Sequence, residues 1–219
     1  MVPTSSFDAW WTALPQESRK NVRLAEKRGV VVRTVPFDDE LVHGIKKIYD
    51  ETPVRQGRPF WHYGKSFEAV KKENLTYLDR SVFVGAYVDE KLIGFIKFIQ
   101  VDEVATLIQI LAMAEHRDKK PMNALLKHTM EVCAQKGLAY LTYGKYNYGV
   151  NQDSSLAEFK RRNGFIEIRF PRYFVPMTAL GKIAISTGLY KGWKTLIPAT
   201  LRQRLLTARA RVLGARKTR

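Results

Sequence analysis

The sequence predicts a mixed α/β fold in which a mostly antiparallel sheet is flanked by helices and followed by a basic helical tail. Three short apolar runs lie between Ser81 and Ala112, and two polar turns separate them. Turns this tight join antiparallel neighbours, so the stretch predicts a three-stranded meander. Segments with apolar residues at helical spacing precede and follow it. Together these observations favour one α/β domain with a substantial core.

Five elements are predicted before the meander. Residues 18–28 are rich in helix-forming side chains and end at a glycine, which predicts a basic helix. The β-branched run at 30–35 predicts a strand, and residues 38–51 predict a helix with acidic residues at its start. The other two are an irregular segment rich in proline, arginine and aromatic residues, and a second helix, at 52–63 and 65–75.

Four elements are predicted after the meander. Pro121 suits the first turn of a helix, and apolar residues at helical spacing continue it as far as Gly137. A short strand follows at 138–143, and then a helix at about 154–163. The run at 165–177 predicts one or two further strands.

The composition excludes several classes of protein. The chain has 219 residues and a single cysteine, Cys133, which excludes a disulfide scaffold and a cysteine-based zinc site. The four histidines form no HExxH motif, so no metal site is predicted. Apolar runs are too short to span a membrane, and the first residues do not resemble a secretory signal. We therefore expect a cytoplasmic protein, with attachment at the inner membrane face as an alternative.

Positive charge is concentrated at the end of the chain. The net charge is +16, yet no acidic residue follows Glu167, and the last 52 residues carry 12 Lys and Arg. Basicity is therefore a property of the tail rather than of the predicted core. The predicted parts are a basic helical segment, the α/β domain and the tail, at 1–29, 30–177 and 178–219.

The tail has two candidate partners. Beyond Pro198, leucine, alanine and valine form a narrow helical stripe with arginines on both sides. This pattern predicts peripheral binding to an anionic membrane surface through residues 181–219. The same charge also suits tRNA phosphates, and a third interpretation is a helix docked on its own domain with a solvated basic face.

The predicted order of elements over about residues 30–177 resembles the GNAT (GCN5-related N-acetyltransferase) superfamily. The best local match is SLAEFKRRNGFIEIRFPRYFVPM, whose Gly164-Phe165 pair is similar to the exit from the family's fourth helix. The resemblance implies an acyltransferase fold and transfer of an acyl group to an amine. It also implies a cleft between the fourth and fifth strands of the family's sheet.

The acetyl-CoA signature of typical GNAT enzymes is only partly present at residues 116–126. Arg117 fits it, but Lys120 and Met122 stand where the signature has small residues, and Pro121 lacks an N–H group. By this resemblance the cofactor-binding candidates are Arg117, Lys119, Lys120 and Asn123. We expect no tightly bound cofactor, and the acyl donor is either acyl-CoA or aminoacyl-tRNA.

A second departure is similar to the Fem-type subgroup of GNAT-like transferases. Lys160 replaces the tyrosine of CoA-dependent members, and the stretch Phe159–Gly164 resembles the Phe-Lys-x-x-x-Gly stretch of Fem-type proteins. The basic helix at 18–29 is also similar to one of theirs. The resemblance implies an aminoacyl donor and a charged cell-envelope precursor as substrate. Fem-type enzymes usually contain two GNAT-like units, whereas this chain has room for one.

Candidate site residues follow from the chemistry of acyl transfer, which needs a proton acceptor, oxyanion stabilisation and a proton for the leaving group. The catalytic candidates are Lys160, Glu115, Tyr143 and Tyr148, and His116 is an alternative base. Cations and rings that can hold phosphate and stack on a base or sugar predict a substrate-binding lip. Its candidates, with one lysine from the loop after the fifth strand, are Arg55, Arg58, Trp61, His62, Tyr63 and Lys145.

Three functions remain open at this point. The first is an N-acyltransferase that moves an acyl or aminoacyl group to a charged precursor. The second is an ordinary acetyl-CoA-dependent N-acetyltransferase. The third is a non-catalytic module that keeps the fold and binds RNA or membrane through its tail.

Overall fold

A computed structural model describes residues 1–55, 57–146, 155–171 and 173–191 of the chain. The chain divides into two compact units, Met1–Ile168 and Arg169–Arg219. The first unit holds the sheet and the helices that cover it. The second unit contains one helix and a short 3₁₀ turn among its described residues.

Six strands of the described chain form one sheet, in the order β1-β8-β7-β6-β5-β2. They are β1 Val2–Pro3, β2 Val31–Val35, β5 Ser81–Val88, β6 Lys91–Val101, β7 Val104–Ala112 and β8 Tyr140–Thr142. All neighbours are antiparallel except β7 and β8, which run parallel. A separate two-residue hairpin pairs β3 with β4, Val54–Arg55 and Arg58–Pro59.

The helices begin where the sequence supplies a capping side chain or a proline. Ser6, Asp38, Ser66 and Thr178 each accept a hydrogen bond from a backbone N–H group of the first turn. The helices are α1 Phe7–Ala13, α2 Gln16–Lys27, α3 Asp39–Asp50, α4 Phe67–Asn74, α5 Pro121–Gln135, α6 Ser155–Arg162 and α7 Ala179–Ser186.

Helices cover both faces of the sheet because its central strands are apolar on both sides. One face packs against α5 and the N-terminal helices, and its core includes Val84, Ile96 and Leu125. The other face packs against α3 and α4, with Phe83 and Phe95 of the sheet in contact with their apolar residues. Folds with a parallel sheet commonly have the same three layers of helix, sheet and helix. Here the sheet between the helices is mostly antiparallel.

The predicted meander is confirmed, and so are the helices that begin at Asp39, Phe67 and Pro121. The prediction of strands at 165–177 is wrong for the described residues of that stretch, none of which lies in a strand. β1 occupies the sheet edge beside β8, and the stretch reaches β1 only where the backbones of Met1 and Ile166 exchange two hydrogen bonds of 2.7 and 2.8 Å. Pro171 then removes a donor that a ladder would need.

Candidate active site

The two parallel strands pair over a short distance only. β8 pairs with β7 from Val104 to Thr106, and β7 then continues to Ala112. Among the described residues, no strand pairs with residues 107–112 on that side, and we call this stretch the open edge. The backbone groups of this stretch that face away from β6 are candidates to bind an extended ligand, except the Ala112 carbonyl, which accepts a hydrogen bond from Arg55.

Lys160 lies deep in the first unit, near the end of β8. Its side chain is only 1% exposed, and its Nζ donates a hydrogen bond of 2.5 Å to the carbonyl of Lys145. The same nitrogen lies 4.3 Å from the centre of the Tyr143 ring, a cation–π distance. Burial lowers the pKa of Lys160 to about 8. The ammonium form therefore still dominates at neutral pH.

The N-terminal segment holds the end of the helix that carries Lys160. Trp10 Nε1 donates to the Asn163 carbonyl at 3.1 Å, and Ser18 Oγ donates to the Arg162 carbonyl at 2.7 Å. Gly164 takes a left-handed conformation, φ +82°, and thereby ends α6. These contacts satisfy the last carbonyls of the helix and fix the position of Lys160.

Tyr143, Lys145 and Lys160 thus lie together near the end of β8. Tyr143 is half-buried and meets Phe165 edge to face, with 5.7 Å between ring centres. The Lys145 side chain is exposed, and only its carbonyl contacts Lys160. Tyr148 lies outside the described residues.

Glu115 and His116 lie elsewhere, at the end of the segment that follows β7. They line a cavity of about 500 Å³ with residues of β2, α3 and the β5–β6 turn, and Lys160 and Tyr143 are not part of that lining. The Glu115 side chain is 66% exposed, and its carboxylate lies 3.2 Å from His116 Nε2. The Glu115 carboxylate therefore faces solvent.

The predicted cofactor-binding residues lie at the start of α5. Arg117 and Lys119 belong to a 3₁₀ turn, and Lys120 precedes the helix with φ +56° and ψ +39°. Only glycine adopts this left-handed region without cost, and another residue loses about 1 kcal/mol there. Lys120 therefore takes the backbone conformation of a glycine. Asn123 follows in the first turn, where its N–H bonds the Lys120 carbonyl at 3.1 Å.

Arg55 is engaged by internal partners. Its guanidinium donates to the carbonyls of Ile48 and Ala112 at 2.9 and 3.0 Å and pairs with Glu51 at 3.0 Å. Glu51 in turn accepts the N–H of Glu115 at 2.9 Å. Burial lowers the pKa of Arg55, and Glu51 opposes that effect. This network ties the end of α3 to the end of β7, so Arg55 positions the strand end rather than presenting a free cation.

The remaining lip residues differ in exposure. Trp61 is 79% exposed, and Lys65 Nζ lies 4.9 Å from its ring centre. Tyr63 is exposed as well, whereas His62 is mostly covered and stacks on Tyr49 with 4.4 Å between ring centres. The Arg58 side chain lies outside the described part of the structure. The lip therefore presents at least one indole face to solvent.

Four residues that hold or contact the groups described above were not predicted from the sequence. Lys97 in β6 is 1% exposed and donates to the carbonyls of Asn74 and Thr76 at 2.8 and 2.7 Å. Its signal was present, because it is the one charged residue in the interior of an otherwise apolar strand that begins at Lys91. The other three have no comparable local signal. They are Tyr49, Glu51 and Glu73, the last of which lies 3.5 Å from His62 Nδ1.

The described residues contain no group of three or more histidine, cysteine, aspartate or glutamate side chains arranged to hold a metal ion. None of their helices combines the length and apolar character needed to cross a bilayer.

Comparison with known proteins identifies a family. The model of the acetyltransferase (GNAT) family matches residues 43–165, which contain the open edge and Lys160. A search of curated proteins found no significant match.

Solved structures share the fold at low sequence identity. FemX superposes with a TM-score of 0.58 at 14% identity, covering 74% of this chain and 57% of its own. The chain thus spans little more than half the length of FemX. An aminoglycoside acetyltransferase from an uncultured soil metagenomic sample, in complex with sisomicin, gives 0.50 at 10% identity, covering 69% of this chain and 99% of its own. PaiA N-acetyltransferase from Thermoplasma acidophilum, in complex with coenzyme A, gives 0.47 at 21% identity, covering 63% and 89%.

Proposed function

The chain belongs to the acetyltransferase (GNAT) family, whose model covers more than half of it, and on that premise we propose an N-acyltransferase that works at the open edge. The amine nitrogen of the acceptor bonds to the acyl carbon, and the resulting oxyanion collapses as the bond to the leaving group breaks. The acyl chain lies along the side of residues 107–111 that does not pair with β6. The acceptor loses one proton, and the leaving group gains one.

The observation that carries the proposal is the buried ammonium of Lys160, close to the end of β8. A cation fixed in a desolvated site stabilises developing negative charge without reorganisation, and a single such donor contributes about 3 kcal/mol. Lys160 therefore stabilises the oxyanion or the departing group. Tyr143, whose ring lies against Lys160, is the candidate to protonate the leaving group.

We propose that side-chain cations, rather than backbone amides alone, bind the phosphates of the donor. Pro121 removes one amide from the start of α5, and Lys120 places a side chain where the family signature has a glycine. Arg117, Lys119 and Lys120 supply positive charge beside the positive end of the helix dipole. Acyl-CoA and aminoacyl-tRNA both present phosphates of this kind.

Calorimetry distinguishes the two donors. Micromolar binding of CoA favours an ordinary acetyl-CoA-dependent enzyme, despite Lys120 and Pro121. Binding of aminoacyl-tRNA that weakens steeply with salt, with no binding of CoA, favours the aminoacyl donor.

The acceptor that best fits the lip is a charged cell-envelope precursor that bears an amine. Exposed Trp61 and Tyr63 can stack on a sugar or a base, and Lys65 adds positive charge beside Trp61. This finer assignment is supported by the Fem-type resemblance of the Lys160 stretch. It predicts transfer to a lysine-containing peptidoglycan precursor in preference to free lysine.

The test is acyl transfer by wild-type chain, Lys160→Met and the control Lys136→Met, which alters an exposed lysine at the end of α5. Donors are acetyl-CoA and alanyl-tRNA. We expect Lys160→Met to lose about 100-fold in rate with unchanged donor affinity, as expected for a lost oxyanion donor. Equal rates in all three proteins reject this assignment of Lys160.

A second function, binding to an anionic membrane surface, is favoured by the second unit. Phe170, Tyr173, Val175, Met177 and Leu180 are all strongly exposed. The unit has no acidic residue, and isolated apolar side chains among positive charges suit the boundary of an anionic bilayer. The predicted amphipathic stripe beyond Pro198 lies outside the described residues.

Flotation with anionic liposomes, with and without residues 181–219, tests this second function. Equal partitioning of both proteins rejects it. If Lys160→Met leaves a cellular phenotype intact while loss of 181–219 abolishes it, a non-catalytic module that binds membrane or RNA is favoured instead.

A further inference from the structure

Two histidines of the described chain direct the same ring nitrogen at a glutamate. His62 Nδ1 lies 3.5 Å from Glu73, and His128 Nδ1 lies 3.6 Å from Glu131. Their side chains are similarly covered, at 22% and 27% exposure. In both pairs the carboxylate favours a proton on Nδ1, which leaves the lone pair on Nε2.

The two pairs differ at the other ring nitrogen. His128 Nε2 lies 3.2 Å from the hydroxyl of Thr34 and is therefore occupied. His62 Nδ1 is buried and makes no hydrogen bond, so Glu73 acts on it through its charge at 3.5 Å. Among the described residues, no group hydrogen-bonds His62 Nε2. This nitrogen is available to a ligand that enters beside the exposed Trp61 and Tyr63.

The His62 ring is held in place and is linked to the open edge through one tyrosine. It stacks on Tyr49 at 4.4 Å and contacts Phe60, with 5.4 Å between ring centres. The Tyr49 hydroxyl donates to Gln109 Oε1 at 3.0 Å, and Gln109 belongs to the open edge. A single tyrosine thus connects the imidazole to the strand along which the acyl group is proposed to lie.

Burial is the main reason that His62 favours its neutral form. Burial lowers its pKa below 6.5, and Lys65 and Arg55 lower it further, while Glu73 raises it. Tyr49, the fourth titratable neighbour, is neutral because burial raises its pKa to about 12. Lys65 also pairs with Glu73 and so holds the carboxylate beside the ring. The imidazole is therefore uncharged at neutral pH and can accept a proton.

We propose that His62, oriented by Glu73, is the base that takes the proton from the acceptor amine. This assignment rests on the proposed acyl transfer. As nitrogen bonds to the acyl carbon, one proton passes from nitrogen to His62 Nε2, and Glu73 stabilises the imidazolium. The bond from acyl carbon to leaving group breaks with its electron pair, Tyr143 gives its proton to the leaving group, and the imidazolium returns a proton to Tyr143 through water. Glu115, two-thirds exposed, is then not required as the base.

The test compares His62→Gln, Glu73→Gln and the matched control His128→Gln, with acetyl-CoA and alanyl-tRNA as donors. The acceptors are glucosamine, L-lysine and a lysine-containing peptidoglycan precursor. We expect His62→Gln to lower kcat by 10²-fold or more with little change in KM, as for loss of a general base. His128→Gln keeps the wild-type rate.

Glu73→Gln supplies a readout that a structural role would not move. The carboxylate raises the pKa of His62, so its removal shifts the acidic limb of the rate profile to lower pH. NMR of the imidazole nitrogens should show the Nδ1–H tautomer in wild type at pH 7.

The outcomes separate the two proposals. Transfer that survives in His62→Gln, or an Nε2–H tautomer in wild type, overturns the role of His62 and leaves the proposed function standing. Wild-type chain that transfers from neither donor to any of the three amines overturns the proposed function, and the role of His62 with it.

Discussion

Two buried lysines occupy different regions of the first unit and resemble each other closely. Lys97 in β6 and Lys160 in α6 are each 1% exposed, and burial lowers the pKa of each to about 8. Both donate to backbone carbonyls. Exposure, pKa and residue type therefore do not distinguish them.

Their surroundings do. Lys97 lies in the middle of the paired sheet and donates to Asn74 and Thr76, which end α4 and begin the turn after it. Lys160 lies near the end of β8, where the sheet opens, against the ring of Tyr143. Lys97 closes a helix end inside the core, whereas we propose that Lys160 acts on a substrate at the open edge. A perturbed lysine thus indicates function only together with access to it.

The largest effect should come from Lys97→Met. Methionine fills the space, yet the carbonyls of Asn74 and Thr76 lose their donor in a buried site. Each such group costs about 1–3 kcal/mol, so we expect the free energy of unfolding to fall by about 2–4 kcal/mol in urea titrations. A loss no larger than that of the exposed control Lys136→Met contradicts a structural role for Lys97.

Arg55 extends the comparison to a third buried cation, and its effect should be somewhat smaller. Arg55→Ala removes two bonds to backbone carbonyls and leaves Glu51 without its partner. We expect a loss of about 2 kcal/mol, measured by urea unfolding. Because Arg55→Lys cannot make the same set of bonds, it should not restore stability. If Arg55→Lys keeps the full wild-type stability, the positive charge alone, rather than the set of hydrogen bonds, stabilises this position.

The pH dependence of stability should show the cost of burying Lys97. Its folded pKa of about 8 lies below the ordinary 10.5, so from pH 7.5 to 9 the unfolded chain binds more protons. Stability therefore rises with pH, by about 1 kcal/mol over that window, relative to Lys97→Met. Cys133 and Lys160, whose pKa values burial also shifts, are present in both proteins, so their contributions cancel in this difference. Parallel curves for the two proteins contradict the lowered pKa.

The smallest effect concerns the turn after β7, where a third lysine occupies a conformation suited to glycine. Lys120→Gly removes a left-handed strain of about 1 kcal/mol, partly offset by the flexibility glycine gains in the unfolded chain. We expect a stability gain of about 0.5 kcal/mol and tighter CoA binding if amides contact the phosphates. Lys120→Ala retains a Cβ and should gain nothing. An equal gain from alanine points to charge repulsion instead.

Local patterns were enough for the parts of the fold that depend on neighbours in sequence. The meander, the proline that begins α5 and the glycine that ends α6 are all visible in the sequence, since turns and caps are local. β1 was not predicted, because a two-residue strand has no pattern and exists only through its pairing with β8. The strand pattern at 165–170 is present, yet β1 already pairs with β8 at that edge of the sheet.

Only the candidate site residues that belong to a recognisable sequence motif could be predicted. Lys160 sits among basic residues that resemble a solvated helix face, and its burial depends on Trp10 and Ser18, about 140–150 residues earlier. His62 and Glu73 meet because a turn and a helix fold back on Tyr49. Contacts over such separations follow from packing, which composition and periodicity do not encode.

The most direct test measures acyl transfer by Lys97→Met and Lys160→Met side by side, at a temperature where both variants are folded. We predict that Lys97→Met keeps the wild-type rate per folded molecule within about threefold, while the rate of Lys160→Met falls about 100-fold. Equal losses in the two variants, or no loss in Lys160→Met, contradict the assignment of Lys160 to the chemistry.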